Sequence, residues 1–199
     1  MINIEFFFDC SSPWTYLAFE RVQPLVYAPN VTFTWKPFLV GGVFNTVNPS
    51  VYANRDKPVP VKQAYYQKDL QDWANYEGLK IGSPPVFPVN SVKVMRGAFV
   101  AIEEDCLVPY ARLVFQHYWS ELRDISQDDE VTQIAVEAGL DGDAFWQKIS
   151  SQDYKDKLRA NTEELIERGG FGSPTLFVDG DDMYFGNDRL VLVERIVSG

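Results

Sequence analysis

A pair of serines stands at the end of an apolar run near the N-terminus, where the chain changes from strand to helix character. Ser12 directly precedes Pro13, which suits the first turn of a helix because that position needs no backbone N–H. The Ser12 hydroxyl therefore lies at the cap position of a predicted helix, where backbone N–H groups and the helix dipole stabilise an anion such as a thiolate. The same pattern is typical of a serine that only caps its helix. Ser11 is the second hydroxyl that this stretch offers.

A second Ser-Pro pair, Ser173-Pro174, precedes an apolar run at residues 175–178. A proline fits the first residue of a strand, and a Ser-Pro bond is one of the few places where a cis peptide is tolerated. Gly172, just before the pair, permits close approach of another backbone. The pattern predicts either a loop that presents backbone N–H and C=O groups to a peptide-like ligand or a plain turn into a strand.

Together with three further stretches, these two Ser-Pro segments resemble one family. The stretches run from Trp35 to Phe44, from Asn54 to Lys57 and from Phe185 to Leu190. Over residues 3–192 the chain resembles the 2-hydroxychromene-2-carboxylate isomerases and their relatives, the kappa-class glutathione transferases. The resemblance implies a thioredoxin-like fold in which a cis-proline loop lies beside the start of the first helix. It also implies glutathione as the cofactor and a small aromatic molecule as the substrate.

In that family a serine replaces the redox cysteine of the fold, and Ser12 matches it. The resemblance implies that the Ser12 hydroxyl donates a hydrogen bond to the glutathione thiolate, which would lower the pKa of the thiol. An arginine can hold a substrate carboxylate through two parallel hydrogen bonds. Each further residue that the resemblance marks could instead be an ordinary turn, cap or surface residue. They are Ser173, Pro174, Asn187 and Asp188 for glutathione, and Lys36, Asn54 and Arg55 for the substrate.

Three other residues could do chemistry but have a simpler interpretation. Cys10 and Cys106 form no C-x-x-C pair, so the disulfide chemistry usual for the fold is missing. Both are expected to be buried side chains rather than reactive thiols. His117, the only histidine, is expected to belong to the core or its edge, and neither a metal site nor a Ser-His-acid set is predicted around it.

The elements that would position these residues form a split α/β fold. Strands are predicted at residues 2–8 and 31–35, a helix at 13–28 that Pro24 should kink or shorten, and a loop from Asn45 to Pro60. We therefore predict a thioredoxin-like domain made of residues 1–60 and 170–199, with a large all-helical insertion at 61–169. The helices of the insertion are predicted near residues 66–74, 92–102, 110–119, 131–138, 143–149 and 153–169.

The composition limits the function classes. The 199 residues are 46% hydrophobic, enough for one sizeable core, and the net charge is −10. Residues 1–100 hold nine basic and seven acidic side chains, whereas residues 101–199 hold nine and twenty-one, which disfavours nucleic acid as a partner. Neither a basic-plus-apolar leader nor an apolar run of about 20 residues is visible. We expect a cytoplasmic protein without a membrane partner, and a homodimer is compatible with the sequence.

These features predict a glutathione-dependent isomerase of the 2-hydroxychromene-2-carboxylate type. The resemblance implies that the thiolate adds reversibly to the conjugated system of the substrate and that glutathione is regenerated. Two alternatives remain. One is a kappa-type glutathione transferase, in which glutathione stays attached to the electrophile, and the other is a non-catalytic binding protein of the thioredoxin fold.

Overall fold

The computed structural model describes residues 1–199 and is built on a four-stranded mixed sheet. The strands are β1 (Ile2–Phe8), β2 (Val31–Pro37), β3 (Thr175–Val178) and β4 (Asp182–Phe185). Their order across the sheet is β2-β1-β3-β4. β2 runs parallel to β1, whereas β3 is antiparallel to β1 and β4 is antiparallel to β3. The end of β1 and the beginning of β3 therefore meet at one edge of the sheet.

Eleven α-helices surround the sheet. Those before the insertion are α1 (Pro13–Arg21), α2 (Gln23–Val26), α3 (Val40–Thr46) and α4 (Ser50–Asp56). The next are α5 (Pro60–Tyr76), α6 (Val92–Glu103), α7 (Leu107–Phe115), α8 (Asp128–Glu137), α9 (Gly142–Ser150) and α10 (Gln152–Glu167), and the chain ends in α11 (Leu190–Ser198). A π turn (Gln116–Ser120) extends α7, and a 3-10 turn (Asn187–Arg189) precedes α11.

The helix predicted at residues 13–28 is shortened, as Pro24 suggested. α1 ends at Arg21, and a separate single turn forms α2. Proline has no backbone N–H and its ring crowds the preceding turn, so a continuous helix through this position would be costly. The shortening leaves α1 as a nine-residue helix whose N-terminus directly follows the Ser11-Ser12 pair.

The prediction of a loop from Asn45 to Pro60 is wrong, because most of this stretch belongs to α3 and α4. α4 contains no buried residue, and its sequence therefore lacks the apolar repeat by which an amphipathic helix is recognised. Pro49 occupies the N-cap position of α4, which is compatible with a helix start. The two helices bring Asn54 and Arg55 onto an ordered element instead of a loop.

The core lies on both faces of the sheet because successive β1 side chains point in opposite directions. Phe6 and Phe8 belong to a cluster of 39 buried residues that includes side chains of α1, α6 and α7. Phe7 points to the other face, where it packs with Phe177 and with residues of α3 and α10. The sheet thus holds α1 on one face and α10 on the other.

The helices α5–α10 stand between β2 and β3 in the chain, as the insertion was predicted to do. α6 and α10 both pack against β2, and the 39-residue cluster joins side chains of the sheet to side chains of α6–α10. The division of the chain at residues 61 and 169 into two domains stays a prediction. None of the helices combines the length and the apolar character that a membrane span requires.

Candidate active site

The Ser11-Ser12 turn and the Ser173-Pro174 loop lie side by side at one edge of the sheet. They meet because β1 and β3 are antiparallel neighbours, with Phe7 opposite Thr175 in the register. The Ser12 hydroxyl donates a hydrogen bond to the Ser173 carbonyl oxygen at 3.3 Å. This distance is longer than the 2.7–2.8 Å usual for hydroxyl donors, so the hydroxyl is only weakly held.

Ser12 is the N-cap residue of α1, with extended backbone angles, and Pro13 is the first helical residue. The Thr15 backbone N–H donates to the Ser12 Oγ at 3.3 Å. The hydroxyl therefore accepts from the helix while its own proton remains free to turn toward a neighbouring acceptor. This capping is the simpler role that the sequence left open, and it does not exclude a second role toward a ligand.

The Ser173–Pro174 peptide bond is cis, and Ser173 is buried. The Pro174 carbonyl accepts a hydrogen bond from the Gly186 N–H at 3.1 Å, which ties the loop to the end of β4. The Ser173 backbone N–H, in contrast, donates to no group of the chain. Gly172 packs against Phe185, whose ring would lie 2.7 Å from an added Cβ. The loop thus combines a fixed position with an unused backbone donor.

Two buried residues that sequence reasoning missed hold this arrangement together. Thr15 is fully buried, and its hydroxyl shares a 2.7 Å hydrogen bond with the hydroxyl of Ser173. The backbone N–H of Asp9 donates to the same Ser173 oxygen at 3.1 Å. Burial raises the pKa of the Asp9 carboxyl, although hydrogen bonds from neighbouring donors partly offset the effect. An acidic residue directly after an apolar strand was the only signal in the sequence for Asp9.

Asn187 and Asp188 lie in the 3-10 turn that packs beside α1. Neither makes a side-chain capping bond, so the simpler interpretation of these two residues as helix caps does not hold. Asn187 is buried, yet its side-chain Nδ2 has no hydrogen-bond partner in the chain. Its backbone carbonyl accepts from Arg21 at 2.7 Å. Asp188 is exposed and pairs with the neighbouring Arg189.

Arg55 lies on α4 and is surrounded by aromatic rings. Its guanidinium carbon is 5.2 Å from the ring centroid of Phe87, 5.7 Å from that of Phe44 and 5.9 Å from that of Tyr52. These distances are in the range of cation–π attraction, which orients the guanidinium without neutralising it. Asn54 is exposed beside it and makes no side-chain hydrogen bond within the chain.

A chain of contacts connects Arg55 with the start of α1. The Phe87 ring, against which Arg55 stacks, lies 6.0 Å from the ring of Trp119 in the π turn. The Trp119 indole N–H donates to the backbone carbonyl of Cys10 at 3.0 Å. Cys10 stands two residues before Ser12. The structure therefore links the predicted substrate arginine, through Phe87 and Trp119, to the turn that leads into Ser12.

Lys36 does not join this group. In the register of the sheet it stands opposite Phe7, and its ammonium lies 5.7 Å above the Phe7 ring, on the face that packs against α10. The Lys36 ammonium is 2.9 Å from the nearest Glu164 oxygen and 3.4 Å from Glu5. Arg168 pairs with the same two carboxylates. The role of Lys36 toward a substrate carboxylate stays a prediction, and these ion pairs disfavour it because two protein carboxylates already hold its charge.

The cysteines and the histidine are placed nearly as predicted. Cys10 is buried, and both burial and the nearby Asp9 raise the pKa of its thiol well above the usual value, so it is a poor nucleophile. Cys106 is only partly buried. His117 is buried in the helical layer, where its ring nitrogens lie 2.6 Å from Glu130 and 3.2 Å from Glu137.

Comparisons with known proteins agree with this fold. The DsbA-like thioredoxin domain matches residues 3–198. A 2-hydroxychromene-2-carboxylate isomerase of Pseudomonas putida is 32% identical over 98% of this chain and 94% of its own length. A kappa 1 glutathione S-transferase of Homo sapiens is 26% identical over 98% and 91% of the two chains.

A solved structure of 2-hydroxychromene-2-carboxylate isomerase superimposes with a TM-score of 0.84 at 31% identity, covering 98% of this chain and 94% of that chain. These matches confirm the predicted α/β, thioredoxin-like fold with its helical insertion. The chain belongs to the family of DsbA-like thioredoxin domains, in which its relatives include 2-hydroxychromene-2-carboxylate isomerases and kappa-class glutathione transferases.

Proposed function

We propose that this protein is a glutathione-dependent isomerase of the 2-hydroxychromene-2-carboxylate type. The observation that carries the proposal is the Ser12 hydroxyl at the N-terminus of α1, 3.3 Å from the carbonyl of Ser173 in the cis-proline loop. A hydroxyl donor, a helix end and a loop with an unused N–H are together suited to a peptide that carries a thiolate. Two isomerase relatives, at 30–32% identity over nearly the whole chain, support the same reaction class.

The polar groups around Ser12 fit the functional groups of glutathione. The free Ser173 N–H is a donor for a carbonyl of the peptide backbone, in the manner of strand addition. The Asn187 amide N–H has no partner in the chain and is a donor for a carboxylate. The exposed Asp188 carboxylate suits an ammonium group. Pro174 contributes the shape of the loop rather than a donor, since proline has no N–H.

Bound glutathione would supply a thiolate that adds to the conjugated system of the substrate and is released unchanged once the substrate has isomerised. The chain's own part is to keep that sulfur ionised. The Ser12 proton can turn from the Ser173 carbonyl toward the sulfur, while the Thr15 N–H continues to hold the Ser12 oxygen in place. The positive end of α1 adds a second, weaker stabilisation of the anion. Cys10 does not compete, because it is buried and its thiol has a raised pKa.

Substrate recognition would fall to α4 and the aromatic rings beside it. Arg55 would hold the substrate carboxylate, and its stacking on Phe87 and Phe44 restricts the orientations that the guanidinium can take. Phe87 is 50% exposed and offers a flat apolar surface between Arg55 and Trp119. Asn54, exposed next to Arg55, could donate to a keto or hydroxyl oxygen.

The mass of the product separates this function from the transferase alternative that the kappa-class relatives support. The purified protein is incubated with glutathione and 2-hydroxychromene-2-carboxylate, the products are separated, and their molecular masses are measured by mass spectrometry. We expect a product with the mass of the substrate, formed only when glutathione is present and without its consumption. A glutathione adduct would establish transfer instead. Glutathione binding without turnover would establish a binding protein.

A cytoplasmic location and a homodimer remain predictions.

A further inference from the structure

The carboxylate of Asp9 is 1% exposed and accepts hydrogen bonds from three separate parts of the chain. One oxygen accepts from the backbone N–H of Ser11 at 2.9 Å. The other accepts from the backbone N–H of Val40 at 2.9 Å and from the Ser91 hydroxyl at 3.2 Å. Every donor is neutral, and no cation pairs with the charge. An ionised carboxylate buried in this way costs free energy, so its presence needs another explanation.

Each donor stands next to a residue of the proposed site. Ser11 forms the turn into Ser12. Val40 begins α3, which carries Phe44 one turn later. Ser91 holds the N-cap position of α6 but makes no side-chain capping bond there, and its hydroxyl is directed to Asp9 instead.

Ser91 ends the short segment that begins with Phe87. Both rings, Phe44 and Phe87, contact the guanidinium of Arg55. One oxygen of the Asp9 carboxylate therefore binds the turn at Ser11 and Ser12, which with the Ser173-Pro174 loop forms the thiol side of the proposed site. The other oxygen binds the segments at Val40 and Ser91, which support Arg55 on the substrate side.

We infer that Asp9 is a positioning residue that fixes the substrate-binding segments at Val40 and Ser91 relative to the Ser12 turn. This inference rests on the proposed function, because it assigns the tether a role in aligning the substrate with the bound sulfur. The backbone of Asp9 also contacts the thiol side, since its N–H donates to the Ser173 hydroxyl and its carbonyl accepts from the Ser12 N–H at 3.2 Å. Only the side chain of Asp9 contacts both the thiol side and the substrate side of the proposed site.

An aspartate suits this task better than an asparagine. Both oxygens accept from a backbone N–H, and an amide has only one acceptor oxygen. In either orientation the amide NH2 of Asp9→Asn would face a backbone N–H. One tether would be lost, whereas the backbone bonds of residue 9 to Ser173 and Ser12 would remain. The thiol side should thus stay intact while the substrate side loosens.

The test is a double-mutant cycle with Arg55→Ala, measured as kcat and KM for 2-hydroxychromene-2-carboxylate with the full-length protein. We expect Asp9→Asn to lower kcat by up to about tenfold, because a residue that acts by placing Arg55 and its substrate should cost no more than the loss of Arg55 itself. Glutathione affinity, measured by calorimetry, should be unchanged. The two substitutions should be non-additive, because both remove the alignment of the same carboxylate. Additive losses, or a loss of glutathione affinity parallel to that of kcat, would overturn the inference.

Two controls separate positioning from loss of stability. Ile149→Ala empties a buried site in α9, which packs on α6, α8 and α10, and should lower the melting temperature with kcat retained. If Asp9→Asn does not fold, Ser91→Ala cuts the α6 tether alone. It should lower kcat several-fold and be non-additive with Arg55→Ala. Additivity there would contradict the role of Asp9.

A failure of the proposed function would be distinguishable from a failure of this inference. If the wild-type protein does not isomerise the substrate, amide hydrogen exchange still tests the tether without any ligand. Asp9→Asn should accelerate exchange at Val40 or Ser11 relative to the wild type, and unchanged protection at both amides would overturn the tether.

Discussion

The two sides of the proposed site are built differently. On the thiol side, Ser173 is 8% exposed and Thr15 is fully buried, and their hydroxyls share a 2.7 Å hydrogen bond. On the substrate side, α4 has no buried residue, and Arg55 is held by aromatic rings. Removing one partner of a buried hydrogen bond costs about 1–3 kcal/mol, whereas an exposed cation–π contact contributes about 0.5–1 kcal/mol.

This difference indicates which residues of the site can be substituted without disturbing the core. The thiol side depends on the antiparallel pairing of β1 with β3 and on the start of α1, which belong to the core. The substrate side depends on an exposed helix whose side chains can be replaced without disturbing that core. A fixed sulfur-binding geometry combined with a replaceable substrate surface would suit a family that includes both a 2-hydroxychromene-2-carboxylate isomerase and a kappa-class glutathione S-transferase.

The largest expected effect is on the thiol side. Ser12→Ala should lower the glutathione-dependent rate by about 10²-fold or more, the scale seen when one preorganised donor to a developing charge is removed. Ser11→Ala is the matched control and should do far less, because the contacts of Ser11 are with Asp9 rather than with the Ser173 loop, and the backbone N–H that binds Asp9 remains. The rates of the two variants, measured at saturating glutathione, test this prediction. Equal losses at the two positions would mean that the wrong hydroxyl has been chosen.

A smaller effect is expected on the substrate side. Arg55→Ala should lower kcat/KM for an anionic substrate by about tenfold, the worth of one hydrogen bond to a charged group, and change that of an uncharged analogue much less. Lys36→Ala is the control. Because Lys36 is paired with Glu164 and Glu5, it should affect both substrates alike. A loss selective for the anionic substrate in Lys36→Ala would restore that residue to the site.

Thr15→Val should act on glutathione binding rather than on chemistry. The substitution keeps the shape of the side chain but removes the 2.7 Å bond to the Ser173 hydroxyl, one of the bonds that fix the loop. We expect the dissociation constant of glutathione to rise about fivefold, which corresponds to about 1 kcal/mol. Thr132→Val, in α8, is the matched control and should leave the affinity unchanged. Titration calorimetry on both variants tests this, and equal affinities would show that Thr15 does not contribute to glutathione binding.

The smallest effect concerns the stability of the fold. Because burial raises the pKa of Asp9, the folded state holds this proton more tightly than the unfolded state does. The contribution of this proton to the free energy of unfolding is therefore present at low pH, and it is lost as the pH rises from about 4 through the raised pKa of Asp9. Thermal unfolding between pH 4 and 7 should show the wild type losing stability relative to Asp9→Asn as the pH rises. A growing advantage of the wild type would contradict the sign.

The sequence predicted those parts of the site that follow from local patterns. An apolar strand, a Ser-Pro pair and a helix start placed Ser12 at the N-terminal start of α1. A second Ser-Pro pair before an apolar run placed Ser173 before β3. The family resemblance brought the two together, and the antiparallel pairing of β1 with β3 explains why they meet.

The remaining parts depend on contacts between distant positions, which no local pattern contains. Glu164 stands 128 residues after Lys36, and its pairing with that lysine could not be predicted from the strand alone. Ser91 reaches Asp9 over 82 residues. α4 was missed for a different reason, since a helix without a buried face has no apolar periodicity.

If Ser12 and the N-terminus of α1 keep a bound thiol ionised, ultraviolet titration of the glutathione complex should show the ionisation directly. We predict a thiol pKa about one to two units below that of free glutathione, where each unit corresponds to about 1.4 kcal/mol of preference for the anion. Ser12→Ala should move the pKa back part of the way and leave the remainder to the helix end. A bound thiol that titrates as it does in water would contradict thiolate activation and favour a binding protein.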